Sequence, residues 1–222
     1  MKKGLLIFCL STIICFSFGA VSQNSEFIID DYNSGLSDKW KTKIFEGETE
    51  YTVTENDSIR CIQAVSNSSA SALIHEIKYD VSEYPFLLWK WKIGQVLEKG
   101  NAHTKEGDDY AARVYVVFPS IIFWKTKAIN YIWANRLPRG ESVPNPFTGN
   151  AVMVAVESGN ENSGKWVEET RNVYEDYKNL FGKEPPKAGA IAVMTDTDNT
   201  GESAVAWYGP IKILKTTAVD NI

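Results

Sequence analysis

Histidine is nearly absent from this chain of 222 residues: only His75 and His103 occur. A zinc centre built from several histidines is thereby excluded, and any Ser–His–Asp arrangement has to use one of these two. Cysteine is almost as scarce. Cys9 and Cys15 fall in an apolar N-terminal stretch, which leaves Cys61 alone in the rest of the chain, with no partner for an internal disulfide. Cys61 is expected as a thiol buried in a strand over 58–65. Basic charge is also short, with 23 Lys and Arg against 28 Asp and Glu. An acidic chain has no global attraction for phosphate backbones or anionic lipid, so nucleic acid is excluded as a partner. Long apolar runs are missing too. The longest, Leu5 to Gly19, has 15 residues, short of the roughly 18 a spanning helix needs.

That run has the layout of a secretory signal peptide over residues 1–22. Lys2 and Lys3 supply the positive start, and Ala20-Val21-Ser22 places small residues at a cleavage site before Val21 or Gln23. A retained anchor is the competing reading. Ile14 stands where a lipoprotein signal ahead of Cys15 needs a small residue, so lipid attachment is rejected. The expectation is an exported, periplasmic or secreted protein with no stable membrane span after cleavage. Residues 23–222 would form one domain, large enough to bury a core without disulfides. Losing Lys2 and Lys3 takes the formal charge from −5 to −7. Oligomeric state is not legible.

What is present is alternation. Short apolar–polar runs separated by turn residues recur from 27 to 214, over 27–32, 41–45, 51–55, 58–65, 70–76, 86–93, 109–118, 128–133, 151–158, 165–171, 190–195 and 204–214. Twelve such runs predict a mainly β protein, a sandwich or barrel. The run Phe86–Ile93 starts continuously apolar and belongs in the middle of a sheet. One helix is expected near the C-terminal third. Asn172 is an N-cap with Glu175 three residues on, Val173, Tyr177, Leu180 and Phe181 share a face, and Gly182 stops it.

Ile28-Ile29-Asp30-Asp31-Tyr32, Trp40, Ala70-Ser71-Ala72-Leu73, Asp80–Pro85 and the Phe86 strand follow one another in a rhythm that resembles the opening of galactose-binding-like jelly rolls of carbohydrate-binding modules. Further on, Gly107–Phe118, Ala128–Ala134, Arg171–Tyr177 and Met194–Gly201 occur in an order similar to a bacterial exported family known as domain of unknown function 3047. That resemblance implies one exported domain and no particular activity. Gly209-Pro210 departs from it, standing where an acidic residue is expected after the Gly.

Three clusters are chemically suggestive. Between two strands, Asp196, Asp198, Asn199, Gly201 and Glu202 gather hard oxygen ligands around a flexible turn, as a cation such as Ca2+ requires. The spacing is not that of an EF-hand. Asp196, Asp198 and Glu202 are the candidate metal ligands, and a solvated hairpin loop is the alternative. In the 109–118 run, alternation puts Asp109, Ala111, Arg113 and Tyr115 on one face and Tyr110, Ala112, Val114, Val116 and Phe118 on the other. The second set reads as core. The first reads as a solvated polar face where Asp109, Arg113 and Tyr115 bind sugar hydroxyls or a sugar acid, or else as a surface ion pair. Trp124, in the apolar loop 119–125, is the candidate exposed aromatic for stacking on a sugar. Glu157 and Glu169 are the carboxylates a glycosidase would have to bring together from different strands, but the expectation is two uncoupled surface carboxylates. Gly159–Lys165 imitates a phosphate loop, but Trp166 replaces the required Ser or Thr, and a hairpin turn is expected there.

The function expected from these residues is an exported glycan- or glycan-like-ligand-binding module, with any calcium structural. The alternatives are a carbohydrate-active enzyme, hydrolase or lyase, and a structural cell-envelope protein. In a lyase, Arg113 would neutralise a uronate while a Tyr or His103 took the proton.

Overall fold

The computed structural model describes residues 25–215, so the targeting segment expected over 1–22 lies outside the described residues. Thirteen strands and one α-helix are present among them. In chain order these are β1 (Glu26–Asp30), β2 (Trp40–Glu46), β3 (Glu50–Asn56), β4 (Ile59–Asn67), β5 (Ala70–Tyr79), β6 (Phe86–Ile93), β7 (Tyr110–Phe118), β8 (Lys127–Ala134), β9 (Ser142–Asn145), β10 (Thr148–Ser158), β11 (Val167–Asn172), α1 (Val173–Phe181), β12 (Ala188–Asp196) and β13 (Ser203–Leu214). All twelve expected strands occur. The thirteenth, β9, is only Ser-Val-Pro-Asn, too short and too polar for alternation to reveal. No described helix is long and apolar enough to cross a membrane.

The strands form a jelly-roll β-sandwich. One sheet runs β11-β6-β13-β4-β3, with β1 also pairing β13. The other runs β2-β5-β12-β7-β8-β10-β9. All pairs are antiparallel except β8 with β10. The chain passes repeatedly from one sheet to the other, and this overturns one expectation and one alternative. The loops 159–165 and 197–202 are not hairpin turns. Each leaves the seven-stranded sheet and enters the other, from β10 to β11 and from β12 to β13.

The inward faces meet in one apolar core. From β8, Ile129, Tyr131 and Trp133 point into it, and from β7 Ala112, Val114, Val116 and Phe118. An aromatic stack crosses between the sheets: Trp89 lies 5.5 Å from Trp91 and 5.3 Å from Tyr131, and Trp91 lies 5.6 Å from Trp133. Offset and edge contacts of this kind add about 0.5–1.5 kcal/mol each beyond their buried area. The run Phe86–Ile93 sits between β11 and β13, with Trp89 and Trp91 fully buried.

Helix α1 begins as its cap predicts. The Asn172 side chain accepts from the Glu175 N–H at 3.0 Å, and Gly182 closes the other end in the left-handed region at φ 66°. Val173 and Tyr177 are its buried side chains. Asp176 ties the helix to the sheets, accepting from the Tyr131 hydroxyl at 2.8 Å and from Arg171 Nε at 2.9 Å. Cys61 is a free thiol buried in β4.

Candidate functional site

The outer face of the seven-stranded sheet carries a cleft of about 440 Å³, roofed in part by the β9–β10 hairpin. A sequence irregularity builds its floor. Arg113 pairs with Met194 and Tyr110 with Asp196, so Ala111 and Ala112 together oppose the single residue Thr195. This is a β-bulge, and one extra residue reverses the alternation beyond it. Tyr110 therefore leaves the inner face expected of it and joins Arg113 on the outer one, its ring centroid 4.5 Å from the guanidinium carbon. The Thr195 hydroxyl donates to the Ala111 carbonyl at 2.8 Å and holds the bulge.

Arg113 is not on a solvated face. It is 4% exposed and grips Asp196, with Nε donating to Oδ1 at 2.7 Å and NH2 paired with Oδ2. Its NH2 also donates to the Asp108 carbonyl at 2.5 Å. The expectation of an exposed strand cation fails because the hairpin over residues 142–158 and the acidic loop cover this end of β7. Tyr115 is half-buried in the cleft, and its hydroxyl lies 3.5 Å from the Met194 sulfur. Burial pushes its phenol above the usual range and keeps it protonated.

The acidic loop comes to the same place. Asp196 and Asp198 line the cleft, with the fully buried Asp109 behind them. Oxygens of Asp109, Asp196 and Asp198 lie within 4.8 Å of one another. Asp109 is held by the Thr200 N–H at 2.6 Å and the Asn199 amide at 3.1 Å. Burial, then the nearby Asp109 carboxylate, raises the pKa of Asp198. The cluster could hold a metal: three carboxylates at this spacing suit a hard cation with oxygen ligands. Glu202 is not part of it. Its carboxylate turns away and accepts the main-chain N–H groups of Glu98 and Lys99, each at 3.0 Å. The expected third ligand is thus replaced by Asp109, whose sequence distance from the loop hid it. Beneath the loop, buried hydroxyls fix its root, with Ser66 Oγ 2.8 Å from Thr197 Oγ1 and Thr49 Oγ1 donating to the Thr195 carbonyl at 2.9 Å.

Trp124 is on the exposed loop expected of it, but not at the site. It is 75% exposed, but it rides on the loop after Phe118, at the opposite end of β7 from the acidic corner, and does not line the cleft. The aromatic walls are instead Phe45 of β2 and Phe147 of the β9–β10 turn, both more than half exposed. Asn130 and Asn145 were missed as well. Asn130 interrupts the apolar run Ala128–Ala134, and that lone amide was the one available signal. Asn145 donates to Asp108 Oδ2 at 2.6 Å.

Glu157 and Glu169 are not the uncoupled surface carboxylates expected of them, since they share Arg139, away from the cleft. Both are buried, and Arg139 reaches them at 3.5 and 3.7 Å. Burial pushes Glu169 up to about 7, opposed by Arg139 and assisted by Glu157.

Fold and site together define a two-sheet β-sandwich with a polar cleft on one outer face. The chain belongs to the family described as "Protein of unknown function (DUF3047)", whose model matches residues 38–212. No curated protein matches it. Among solved structures it is similar to a family 30 carbohydrate-binding module of a cellulosomal cellulase of Clostridium thermocellum, at 10% identity and TM-score 0.48, covering 81% of this chain and 92% of that one. A variant family 29 carbohydrate-binding module matches at 12% identity and TM-score 0.43, over 90% of this chain and 98% of that one. The cleaved adhesin domain of Lys-gingipain from Porphyromonas gingivalis matches at 16% and 0.39, over 83% and 96%. At these values the likenesses carry no statement about function.

Proposed function

We propose that this protein is an exported glycan-binding module whose ligand lies in the cleft over β7 and β12. One observation carries the reading: a floor of buried polar side chains, Asp108, Arg113 and Asn130, is flanked by two exposed phenyl rings, Phe45 and Phe147. Sugars need both, since their hydroxyls require fixed hydrogen-bonding groups and the C–H faces of their rings pack on aromatic surfaces. Asp109, Arg113 and Tyr115 keep a part in this reading, Asp109 and Arg113 as buried groups that set the floor and Tyr115 as a ligand contact. Arg113, already paired with Asp196, is not the free cation a uronate-cleaving lyase would use.

The cation at Asp109, Asp196 and Asp198 is proposed to be Ca2+, chosen by all-oxygen donors, with a structural role at the mouth of the cleft. Export rests on the N-terminal charge, apolar run and small residues, and mass spectrometry of the native protein should find an N-terminus at Val21 or Gln23. The test of the main reading is a glycan-array screen with and without calcium. Selective binding that Phe147→Ala removes supports it. Depletion of an array glycan would favour a carbohydrate-active enzyme, for which Glu157 and Glu169 supply a buried carboxylate pair.

A further inference from the structure

Within the glycan-binding reading, the structure assigns the cleft to a ligand that brings positive charge and hydrogen-bond donors, most simply a glycan with free amino groups such as an oligomer of glucosamine. The argument is a count of what the cleft has left to offer. Four carboxylates, those of Asp108, Asp109, Asp196 and Asp198, stand against the single guanidinium of Arg113, which leaves three formal negative charges. A divalent ion at the three-aspartate cluster would reduce this to one and would not reverse its sign.

The amide and guanidinium donors of the floor are mostly engaged already. Arg113 is spent on Asp196 and on the Asp108 carbonyl. Asn145 donates to Asp108, and Asn199 to Asp109. Asn130 and Tyr115 are turned to the sulfurs of Met153 and Met194. Acceptors, by contrast, are left over. Asp108 is 4% exposed, it lines the cleft, and its Oδ1 is buried without a hydrogen-bond partner. NH1 of Arg113 stands 3.7 Å from that oxygen, outside hydrogen-bond reach. The Asn130 side-chain oxygen is likewise buried, unpartnered and on the cleft lining. A buried carboxylate oxygen without a donor costs free energy until a ligand supplies one, and an ammonium group is the donor that also answers the charge.

The walls fit the same class. Phe45 and Phe147 are exposed rings, each shared with a flexible exposed lysine that a stacking ligand would displace, Lys43 at 5.0 Å and Lys105 at 5.4 Å. The lysines sit at the rim and leave the floor uncompensated.

The test is calorimetric titration of the purified protein with glucosamine oligomers, N-acetylglucosamine oligomers of equal length, oligogalacturonate and spermidine, each with and without calcium. The free-amine oligomer should bind at least about tenfold tighter than its acetylated counterpart, the size expected of one charge-assisted hydrogen bond. The margin should shrink at high salt, and Asp108→Asn should remove it. The ligand series in the unaltered protein decides the matter even if that variant folds poorly. Equal affinity for free and acetylated amines, with Phe147→Ala abolishing both, overturns the inference and leaves the glycan reading intact, as does a preference for oligogalacturonate. Binding of spermidine but of no sugar, sensitive to Asp108→Asn, retains the cationic ligand and overturns the glycan. Failure of all four overturns both.

Discussion

Glu157 of β10 and Glu169 of β11 belong to opposite sheets, yet both meet one guanidinium, that of Arg139, at 3.5 and 3.7 Å. Both carboxylates are buried, while Arg139 is largely exposed, so the pair is closed from outside by a side chain that water reaches. Asn162 donates to Glu157 at 2.6 Å, whereas Glu169 Oε1 has no hydrogen-bond partner. The two carboxyls therefore differ in environment, and burial pushes Glu169 up to about 7.

That shift sets a pH dependence. The folded pKa of Glu169, about 7, exceeds the ordinary glutamate value of 4.5. The folded state holds the extra proton, so this contribution to stability is fully present below that ordinary value and is lost as pH rises through about 7. Glu169→Gln, which keeps the neutral shape, should flatten this part of the Tm–pH profile. An unchanged slope between pH 5 and 8 in the variant would remove Glu169 as its source.

His75 should pull the other way. It is buried against Trp40 with both ring nitrogens unpartnered, and burial lowers its pKa below the usual 6.5. Stability contributed by the neutral ring is present above that usual value and is lost as pH falls below it through the lowered folded value. His75→Phe should therefore reduce the loss of Tm on acidification. Denaturation curves at pH 7 and pH 5 compare the two proteins directly.

Arg113→Ala should destabilise strongly, by about 3–5 kcal/mol, because Asp196 and Asp108 would be left buried without their cation. Arg113→Lys should recover only part of this, since an ammonium cannot reproduce the two-point grip on Asp196. Urea denaturation measures both. A loss below 1 kcal/mol, the range of a surface ion pair, would contradict the buried assignment.

Calcium should raise Tm by an amount set by free calcium over its dissociation constant. Asp198→Ala should abolish the rise, and it should not harm the metal-free protein, where it relieves repulsion from Asp109. Glu202→Ala should leave the calcium response intact while costing the two hydrogen bonds to Glu98 and Lys99. Thermal scans across ~10⁻⁵–10⁻² M calcium, which spans the range of weak extracellular sites, would retire the metal site if they were flat.

Cys61 should label slowly under native conditions. It is buried in β4, and burial pushes its thiol up to about 11, so little thiolate is available. Reaction at the rate of a free thiol would place it on the surface instead.

Local chemistry was legible in the residues themselves. Period-two alternation marks twelve of the thirteen strands, since each strand buries one face. The Asn172 cap and Gly182 stop mark α1, since both act within four residues. Cys61 is the one cysteine among the described residues, so no second thiol stands there to pair with it. The site was only half legible. Asp196 and Asp198 announce themselves in a seven-residue loop, but their partners do not. Arg113 is 83 positions from Asp196, and Asp109 is 91 from Thr200. Only strand pairing across the sheet brings them together.

Three assignments were decided by tertiary structure alone. The bulge at Ala111–Ala112 turns Tyr110 outward, because one extra residue flips parity and no local signal marks it. Glu202 lies beside the acidic loop in sequence, but the main-chain donors of Glu98 and Lys99 hold its carboxylate elsewhere. Arg113 alternates like a surface residue and is buried against Asp196, 83 positions away in sequence. Alternation tells which face of a strand a side chain occupies. Whether that face meets water depends on what the rest of the chain lays over it.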